Sequence, residues 1–358
     1  MTLNNDNSHY QDLIEQVGAA FANKKNLVIR GGGSKNFYGR SVIGEILETT
    51  NCSGIVSYEP TELVITARAG TAVSEIEKIL STENQMLPFE PPHFGNNATV
   101  GGMIASGLSG PRRPYAGAVR DFVLGITCLT GTGKCLSFGG QVMKNVAGYD
   151  VSRLMVGALG ALGVLLDVSI KLLPKPETEI HLVKNLDENT AISLMNDFAG
   201  KPIPLSGASY ADGLLHIRLS GTEKAIKLAQ QKLEMDIYTD EADYWQKLRE
   251  HELEFFTSSQ QPLWRIVVPP SMPSISLPGN WLVDWGGAQR WLVTGTSVAE
   301  VRETVSKLGG HATLFRGGDK NGDIFQPLAP ALELIHKRLK QIFDPEKILN
   351  KGRMYKAI

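Results

Sequence analysis

Cysteine is scarce: Cys52, Cys128 and Cys135 are the only three in 358 residues, far apart and without a CxxC pair. An iron–sulfur or structural zinc site built from cysteines is excluded, and the usage fits a reducing cytoplasm. Long apolar runs are also missing. The best candidate, Leu154 to Leu166, is broken by glycines and followed by Asp167, short of the roughly 18 residues that a membrane span requires. Met1 to Asp12 is polar and offers no export signal. Neither charge dominates, since 36 Lys+Arg face 37 Asp+Glu for a formal net charge of −1. A nucleic-acid partner or an anionic membrane would call for a basic surplus, so neither is expected. GxGxxG followed by a ribose-binding acid is absent, as is Gly-Lys-Ser/Thr, which sets aside Rossmann and Walker A sites. None of the seven histidines stands two residues from another, so no His-x-His pair points two imidazoles to one side of a strand.

Glycine, by contrast, is abundant, with 37 residues, roughly 10% against an average near 7%. With 42% hydrophobic residues the chain can bury a real core, and its length suggests about two domains. Residues 10–25 have helical spacing through Leu13, Ile14, Val17 and Ala20. Leu27-Val28-Ile29 reads as a strand stopped by Gly31-Gly32-Gly33. Ile55–Tyr58 and Leu63–Ala67 read as strands separated by Pro60, and Thr71–Leu80 as a helix capped by Ser74 ahead of Glu77. The stretch 88–117, rich in Pro and Gly, has little periodicity and reads as an ordered binding segment. Phe122–Leu129 and Leu162–Leu173 read as strands, 187–199 and 222–234 as helices. Beyond Pro176 the glycine clusters stop and all five tryptophans fall between Trp245 and Trp291, which suggests a separate core and a boundary near 176–180. The segment Ala331–Phe343 reads as a helix with Leu332, Ile335, Leu339 and Ile342 on one face.

Three glycine-rich segments carry candidate chemistry. Arg30-Gly31-Gly32-Gly33-Ser34-Lys35 ends a strand with successive N–H groups that no Cβ obstructs, a concavity suited to a diphosphate. A tight turn without a ligand explains this segment equally well on its own. Ala98-Thr99-Val100-Gly101-Gly102-Met103-Ile104-Ala105-Ser106-Gly107 is small-residued enough for a flat ligand to lie on the backbone, or for a helix to pack closely. The third comprises Lys144-Asn145-Val146-Ala147-Gly148-Tyr149-Asp150 and, further on, Gly157 to Val164, which could equally be a loop and a buried strand.

In their order and spacing these segments resemble the FAD domain of the vanillyl-alcohol oxidase type, also called the p-cresol methylhydroxylase (PCMH) type. So does the ending Phe343-Asp344-Pro345-Glu346-Lys347-Ile348-Leu349-Asn350, which is similar to the family's FDPxxILNPGK. Further segments resemble the FAD-binding E subunits of glycolate oxidase: Pro88 to Gly95, Ser109 to Pro114, Val119 to Gly125, Val142 to Asp150, Trp281 to Ala288, Gly309 to Thr313 and Gly352 to Tyr355. The resemblance implies an α+β fold: a PCMH-type FAD-binding domain of two α+β subdomains at 1–178, a smaller α+β cap at 179–312, and a segment at 313–358 returning to the FAD domain. It implies FAD held by Arg30, Gly31, Gly32, Gly33, Ser34, Lys35, Pro92, Ala98, Thr99, Gly101, Gly102, Ser106, Gly107, Lys144, Asn145, Gly148, Tyr149, Gly163, Val164 and Asn350. The FAD should be non-covalent, because Ser34 stands where covalent members carry His. As implied partners, a larger flavin D subunit and an iron–sulfur F subunit complete a complex that oxidises glycolate to glyoxylate and feeds the respiratory chain. The chain would be cytoplasmic, meeting the inner membrane only through those partners.

Oxidising glycolate requires a base for the hydroxyl proton and a cation for the carboxylate. Related metal-using flavin dehydrogenases carry His-x-His, which this sequence lacks. His93 and His311 are isolated, Arg112 and Arg113 are the nominated carboxylate cations, and residues 180–310 display no convergent acid–base set. No catalytic residue and no metal ligand is therefore assigned. The expected reading is an FAD-binding subunit insufficient for turnover by itself. The alternatives are a self-sufficient 2-hydroxyacid dehydrogenase and an assembly subunit with a vestigial site, the latter opposed by the intact Gly31-Gly32-Gly33 and Gly101-Gly102.

Overall fold

The computed structural model describes residues 10–140, 150–239 and 243–358. The first helix, Gln11–Asn23, buries Leu13, Val17 and Ala20 and ends where Lys24 turns left-handed at φ 52°. Strand Leu27–Arg30 follows and pairs in parallel with Glu45–Glu48. The far end of the chain joins this pair: Leu27 N donates to Ile348 O (2.7 Å), and Asn350 N donates to Leu27 O (3.0 Å). Residues more than 300 positions apart thus share one ribbon, and the glycine loop leaves from its edge.

A five-stranded antiparallel sheet lies next to it, in the order Ile55–Glu59, Val64–Arg68, Val164–Lys171, Val123–Leu129, Cys135–Gly139. Its central strand is covered on both faces. Val164 and Leu166 pack with Leu13, Val17 and Ile348, while Leu165, Val168 and Ile170 pack with Val73, Ile76 and Met103. Each fully buried aliphatic side chain of this kind contributes roughly 1.5–3 kcal/mol. The chain enters helix Val73–Thr82 without a side-chain cap; Ala72 is the N-cap, and Ser74 sits inside the first turn. The expected Ser74 cap fails because Ala72 is held extended, bridged to Thr99, with Val73 N donating to Ala98 O (2.8 Å), so the helix starts one residue before Ser74. The stretch 88–117 is more regular than its composition suggests. Thr99 caps helix Val100–Ser106 by accepting from Gly102 N (3.2 Å), and Gly107 closes it at φ 63°.

The second large sheet has eight antiparallel strands, ordered Asp236–Ile237, Thr178–Asn185, Leu214–Gly221, Leu205–Ala211, Asn280–Asp284, Gln289–Val293, Leu263–Val267, His311–Arg316. Helices Glu188–Ala199 and Glu223–Leu233 begin at Asp187 and Thr222, whose side chains accept from Thr190 N and Ala225 N. They cover Leu182, Leu215 and Ile217 with Ile192, Met195 and Ile226. An aromatic cluster of Tyr244, Trp245, Trp291 and Phe315 takes in Tyr38 and Leu108 from the glycine-rich part of the chain. An ionic junction reinforces the contact. Half-buried Glu90 meets buried Arg112 (3.1 Å) and Arg218 (2.8 Å), and Arg112 reaches Glu179 (2.6 Å).

The helix near the C-terminus, Pro330–Phe343, turns a different side inward from the one its apolar spacing indicates. Leu332, Ile335 and Ile342 are exposed, whereas Lys340 and Phe343 are buried. The reason is ionic. Lys340 Nζ is fully buried, bonded to Asp344 Oδ2 (2.8 Å), Ala161 O (2.7 Å) and Leu349 O (2.7 Å). Asp344 in turn accepts from Ile348 N (3.0 Å) and Leu349 N (2.8 Å).

Candidate functional site

Where the small two-stranded ribbon, helix Val100–Ser106 and the 155–165 segment converge, they leave an open cleft. Its floor is backbone. The N–H groups of Gly31, Gly32, Gly33, Ser34 and Lys35, five in succession, find no acceptor among the described residues, in a molecule whose buried N–H groups are normally paired. Five free donors on a concave loop are a cradle for a polyanion such as a diphosphate. This donor set fits FAD.

The glycines have a second reason to be glycine. A Cβ on Gly32 would lie 1.4 Å from Asn97 O, one on Gly31 2.4 Å from Thr99 Oγ1, and one on Gly101 2.8 Å from Ala69 Cβ. Close packing therefore requires these three whatever the cleft holds, and their presence does not by itself argue against a vestigial site. Gly102 is different: its added Cβ would meet only Thr99 Oγ1, at 3.3 Å, and the residue lines the cleft.

Eleven of the proposed positions line the cleft: Gly31, Gly32, Gly33, Ser34, Lys35, Thr99, Gly101, Gly102, Ser106, Gly163 and Asn350. Asn350 also ties the walls together. Its Oδ1 accepts from Ile29 N (2.9 Å) and its Nδ2 donates to Leu159 O (2.7 Å). Five others stand back from it. Arg30 faces Glu48 at 3.7 Å, Ala98 is buried behind the wall, Gly107 ends a helix and Val164 belongs to the core. Pro92 lines a neighbouring chamber instead. Lys144, Asn145, Gly148 and Tyr149 lie outside the described residues. Ala105, Ala158, Leu159 and Gly160, which fell within the glycine-rich candidate segments but outside the expected FAD contacts, complete the wall; they share the small-residue pattern that singled out Gly101 and Gly102.

Two cations flank the loop. Lys35 Nζ donates to His93 O (3.1 Å), and burial lowers its pKa to about 8. Arg353 donates to Asn36 O (3.0 Å) and lines the cleft. Arg112 cannot serve as the free carboxylate cation proposed for it, and neither it nor Arg113 lines the cleft. Arg112 is buried among Glu90, Glu179 and Ser220, and Arg113 lies over the Trp285 ring at 4.3 Å. His93 is no free base either: its Nε2 lies 3.2 Å from Glu77, while the Glu250 carboxylate accepts from His93 N and Phe94 N.

Near the cleft, with Phe94 in its wall, is a narrow chamber. Lys35 on the cleft side sits 5.7 Å from the Phe94 ring centroid. The chamber contains Arg265, His251, Asp284 and Gln289, the convergent set that the sequence did not display. Asp284 accepts from Trp285 N (2.7 Å) and Gln289 Nε2 (3.2 Å), and burial pushes its pKa up to about 7. Burial, helped by Arg316 and Arg265, keeps His251 neutral. Among the described residues, no three His, Cys, Asp or Glu side chains are grouped to hold a metal ion, and no helix is long and apolar enough to cross a membrane.

Residues 8–139 match a family model described as an FAD binding domain. Glycolate oxidase subunit GlcE of Escherichia coli (strain K12) is 49% identical over 96% of this chain and 97% of its own length. Glycolate oxidase subunit GlcD of Bacillus subtilis (strain 168) is 30% identical, over 45% of this chain and only 34% of that protein. A solved alkyldihydroxyacetonephosphate synthase shares the fold with a TM-score of 0.67 at 14% identity, across 95% of this chain and 75% of that one. The fold is therefore the α+β PCMH-type flavoprotein fold, FAD is the cofactor that the family model and the donor cradle agree on, and the near end-to-end match settles kinship: the chain belongs to the family of glycolate oxidase E subunits.

Proposed function

We propose that this chain is the FAD-binding subunit of a multi-subunit glycolate oxidase that converts glycolate to glyoxylate, and that it is not sufficient for turnover alone. The observation that carries the reading is the row of five N–H groups at Gly31–Lys35 on the floor of the cleft, which find no acceptor among the described residues. These groups would hold the FAD diphosphate, and helix Val100–Ser106 would lie along the cofactor with Gly101 and Gly102 turned towards it. Bound FAD supplies a two-electron acceptor for the hydride of an α-hydroxy acid. Ser34 offers no imidazole for covalent attachment, so the binding is non-covalent. Lys35 and Arg353 would place positive charge beside the cofactor. A larger flavin subunit and an iron–sulfur subunit are the partners of this reading, in the cytoplasm, with any membrane contact made through them. The division into an FAD-binding part at 1–178, a cap at 179–312 and a returning segment at 313–358 belongs to the same reading.

Gly102→Leu tests it. The position is helical and an added Cβ would press only on Thr99 Oγ1, at 3.3 Å, so with a shift of a few tenths of an ångström at Thr99 the substitution fills the cleft in a folded chain. Titration of the cofactor-free protein with FAD should show binding by the parent chain and at least a hundredfold loss in the variant, about 2.8 kcal/mol, with an unchanged melting temperature. Equal binding by both would place FAD elsewhere.

A further inference from the structure

Helix Pro330–Phe343 leaves an apolar stripe in solvent. Leu332 and Ile335 are each 50% exposed and Ile342 is 72% exposed, and with Leu339 they follow one another at the spacing of neighbours on a helix surface. The buried Lys340–Asp344 pair fixes the rotation that keeps this stripe outside. A row of exposed apolar side chains on a folded chain marks an interaction surface. At Leu339 the stripe runs into a groove of about 610 Å³, whose apolar lining is Leu154, Val156, Leu162, Leu339, Met354 and Ile358. Stripe and groove together form a trough of the kind that receives the apolar face of a helix. Its back wall is thin: Ala158 lines both the groove and the cofactor cleft, and Lys340 holds the neighbouring Ala161 carbonyl at 2.7 Å.

Charge and shape select the occupant. Arg153 is matched by Asp150 (2.9 Å) and Lys337 by Glu333 (2.6 Å). Arg120 in the groove and Arg338, between Ile335 and Ile342 in the sequence of the helix, have no carboxylate oxygen within 4.0 Å among the described residues. The surplus is positive. A second copy of this chain, docked about a two-fold axis, would bring the same free cations together. A lipid surface would meet the stripe but leave the concave groove unfilled. We propose that the trough seats a partner subunit, through an apolar helix flanked by acidic side chains that face Arg120 and Arg338. This rests on the multi-subunit reading above and adds the place of attachment. The docked helix would lie against the back of the wall that encloses the cofactor cleft.

The test is co-expression of the tagged full chain with the larger flavin subunit and the iron–sulfur subunit, followed by affinity purification and sizing. The parent chain should recover a complex. The double variant Ile335→Glu, Ile342→Glu should recover at least about tenfold less, with melting temperature and FAD titration unchanged because both side chains point to solvent. Arg338→Glu should also weaken assembly, and Arg338→Lys should restore it. Leu228→Glu, equally exposed on helix Glu223–Leu233, should have no effect. Undiminished assembly by the double variant overturns the assignment while leaving the multi-subunit reading intact. If the parent chain recovers neither subunit, that reading falls and this surface with it. Self-association of the isolated chain, or its binding to phosphatidylglycerol vesicles, that the double variant abolishes would assign the trough to a second copy or to a membrane and overturn the proposal. Should the double variant not fold, Arg338→Glu decides, and undiminished assembly there overturns it.

Discussion

Replacing Lys340 with methionine probes how the end of the chain builds the cofactor cleft. Its ammonium is fully buried and has three acceptors at 2.7–2.8 Å: Asp344, Ala161 O and Leu349 O. Methionine has nearly the same length and shape, so packing is conserved and the charge is what disappears. Asp344 would remain buried, retaining only the Ile348 and Leu349 N–H groups. Removing one member of such a pair costs about 3–5 kcal/mol. At about 2 °C per kcal/mol for a chain of this size, the melting temperature should fall by about 6–10 °C. Function should suffer as well, because the two carbonyls that Lys340 holds adjoin Gly160 and Asn350, which line the cleft. FAD affinity measured by titration should fall about tenfold, equivalent to about 1.4 kcal/mol. Lys337→Met on the same helix is the control. Its ion pair with Glu333 at 2.6 Å is solvent-exposed, so it should shift stability by less than about 1 kcal/mol. If Lys340→Met melts within about 2 °C of the parent and binds FAD equally, the end of the chain does not brace the site as argued.

The Glu90 junction should be similarly unforgiving. Burial raises the Glu90 pKa, but Arg218 and Arg112 outweigh it and keep the carboxylate charged below its usual range; Glu90→Gln should cost about 3–5 kcal/mol in urea unfolding, and a cost under about 1 kcal/mol would refute the role. Asp284 predicts a pH effect of defined sign. Its folded pKa of about 7 stands above the unfolded 3.8, so its favourable contribution is complete below about pH 4 and is lost as pH rises through 7. Asp284→Asn should therefore gain stability relative to the parent between pH 4 and 7, by up to about 4 kcal/mol, and a pH-independent difference would contradict this. The hydrogen-bonded His181–His216 pair should impose the opposite slope. Its nitrogens are 3.0 Å apart, and burial lowers the two pKa values to about 4 and 3. Stability should therefore fall as pH drops from 6.5 towards 4, and less steeply in His216→Phe.

How much of this was legible in sequence follows from how locally each feature is encoded. The diphosphate cradle was readable because one strand end supplies all five N–H groups, and glycine is the only residue that tolerates Asn97 and Thr99 so close. Helix Val100–Ser106 was half readable: its small residues indicated close approach, but its capping Thr99 was hidden among glycines and prolines that suggest irregular chain. The final helix misled because Leu332, Ile335 and Ile342 advertise a core face, whereas a buried ion pair, Lys340 with Asp344, orients it. The chamber was invisible for a different reason. Its polar members come from a helix end at His251, one strand at Arg265, and two neighbouring strands at Asp284 and Gln289. Only the pairing of Asp284 with Gln289 and of Arg265 with Trp291 makes them neighbours. Arg112 and Arg113 looked available because their partners Glu90, Glu179 and Trp285 are remote in sequence.

The central claim is that this chain carries FAD in the Gly31–Asn350 cleft and needs its partners for turnover. An absorbance spectrum of the purified full chain, before and after glycolate is added without oxygen, tests it most directly. The account predicts a flavin band near about 450 nm, present on purification or restored by added FAD, that stays oxidised with glycolate and is lost in Gly102→Leu. Bleaching by glycolate in the isolated chain would make it a dehydrogenase in its own right, and a chain that remains colourless with FAD added would contradict the cofactor site itself.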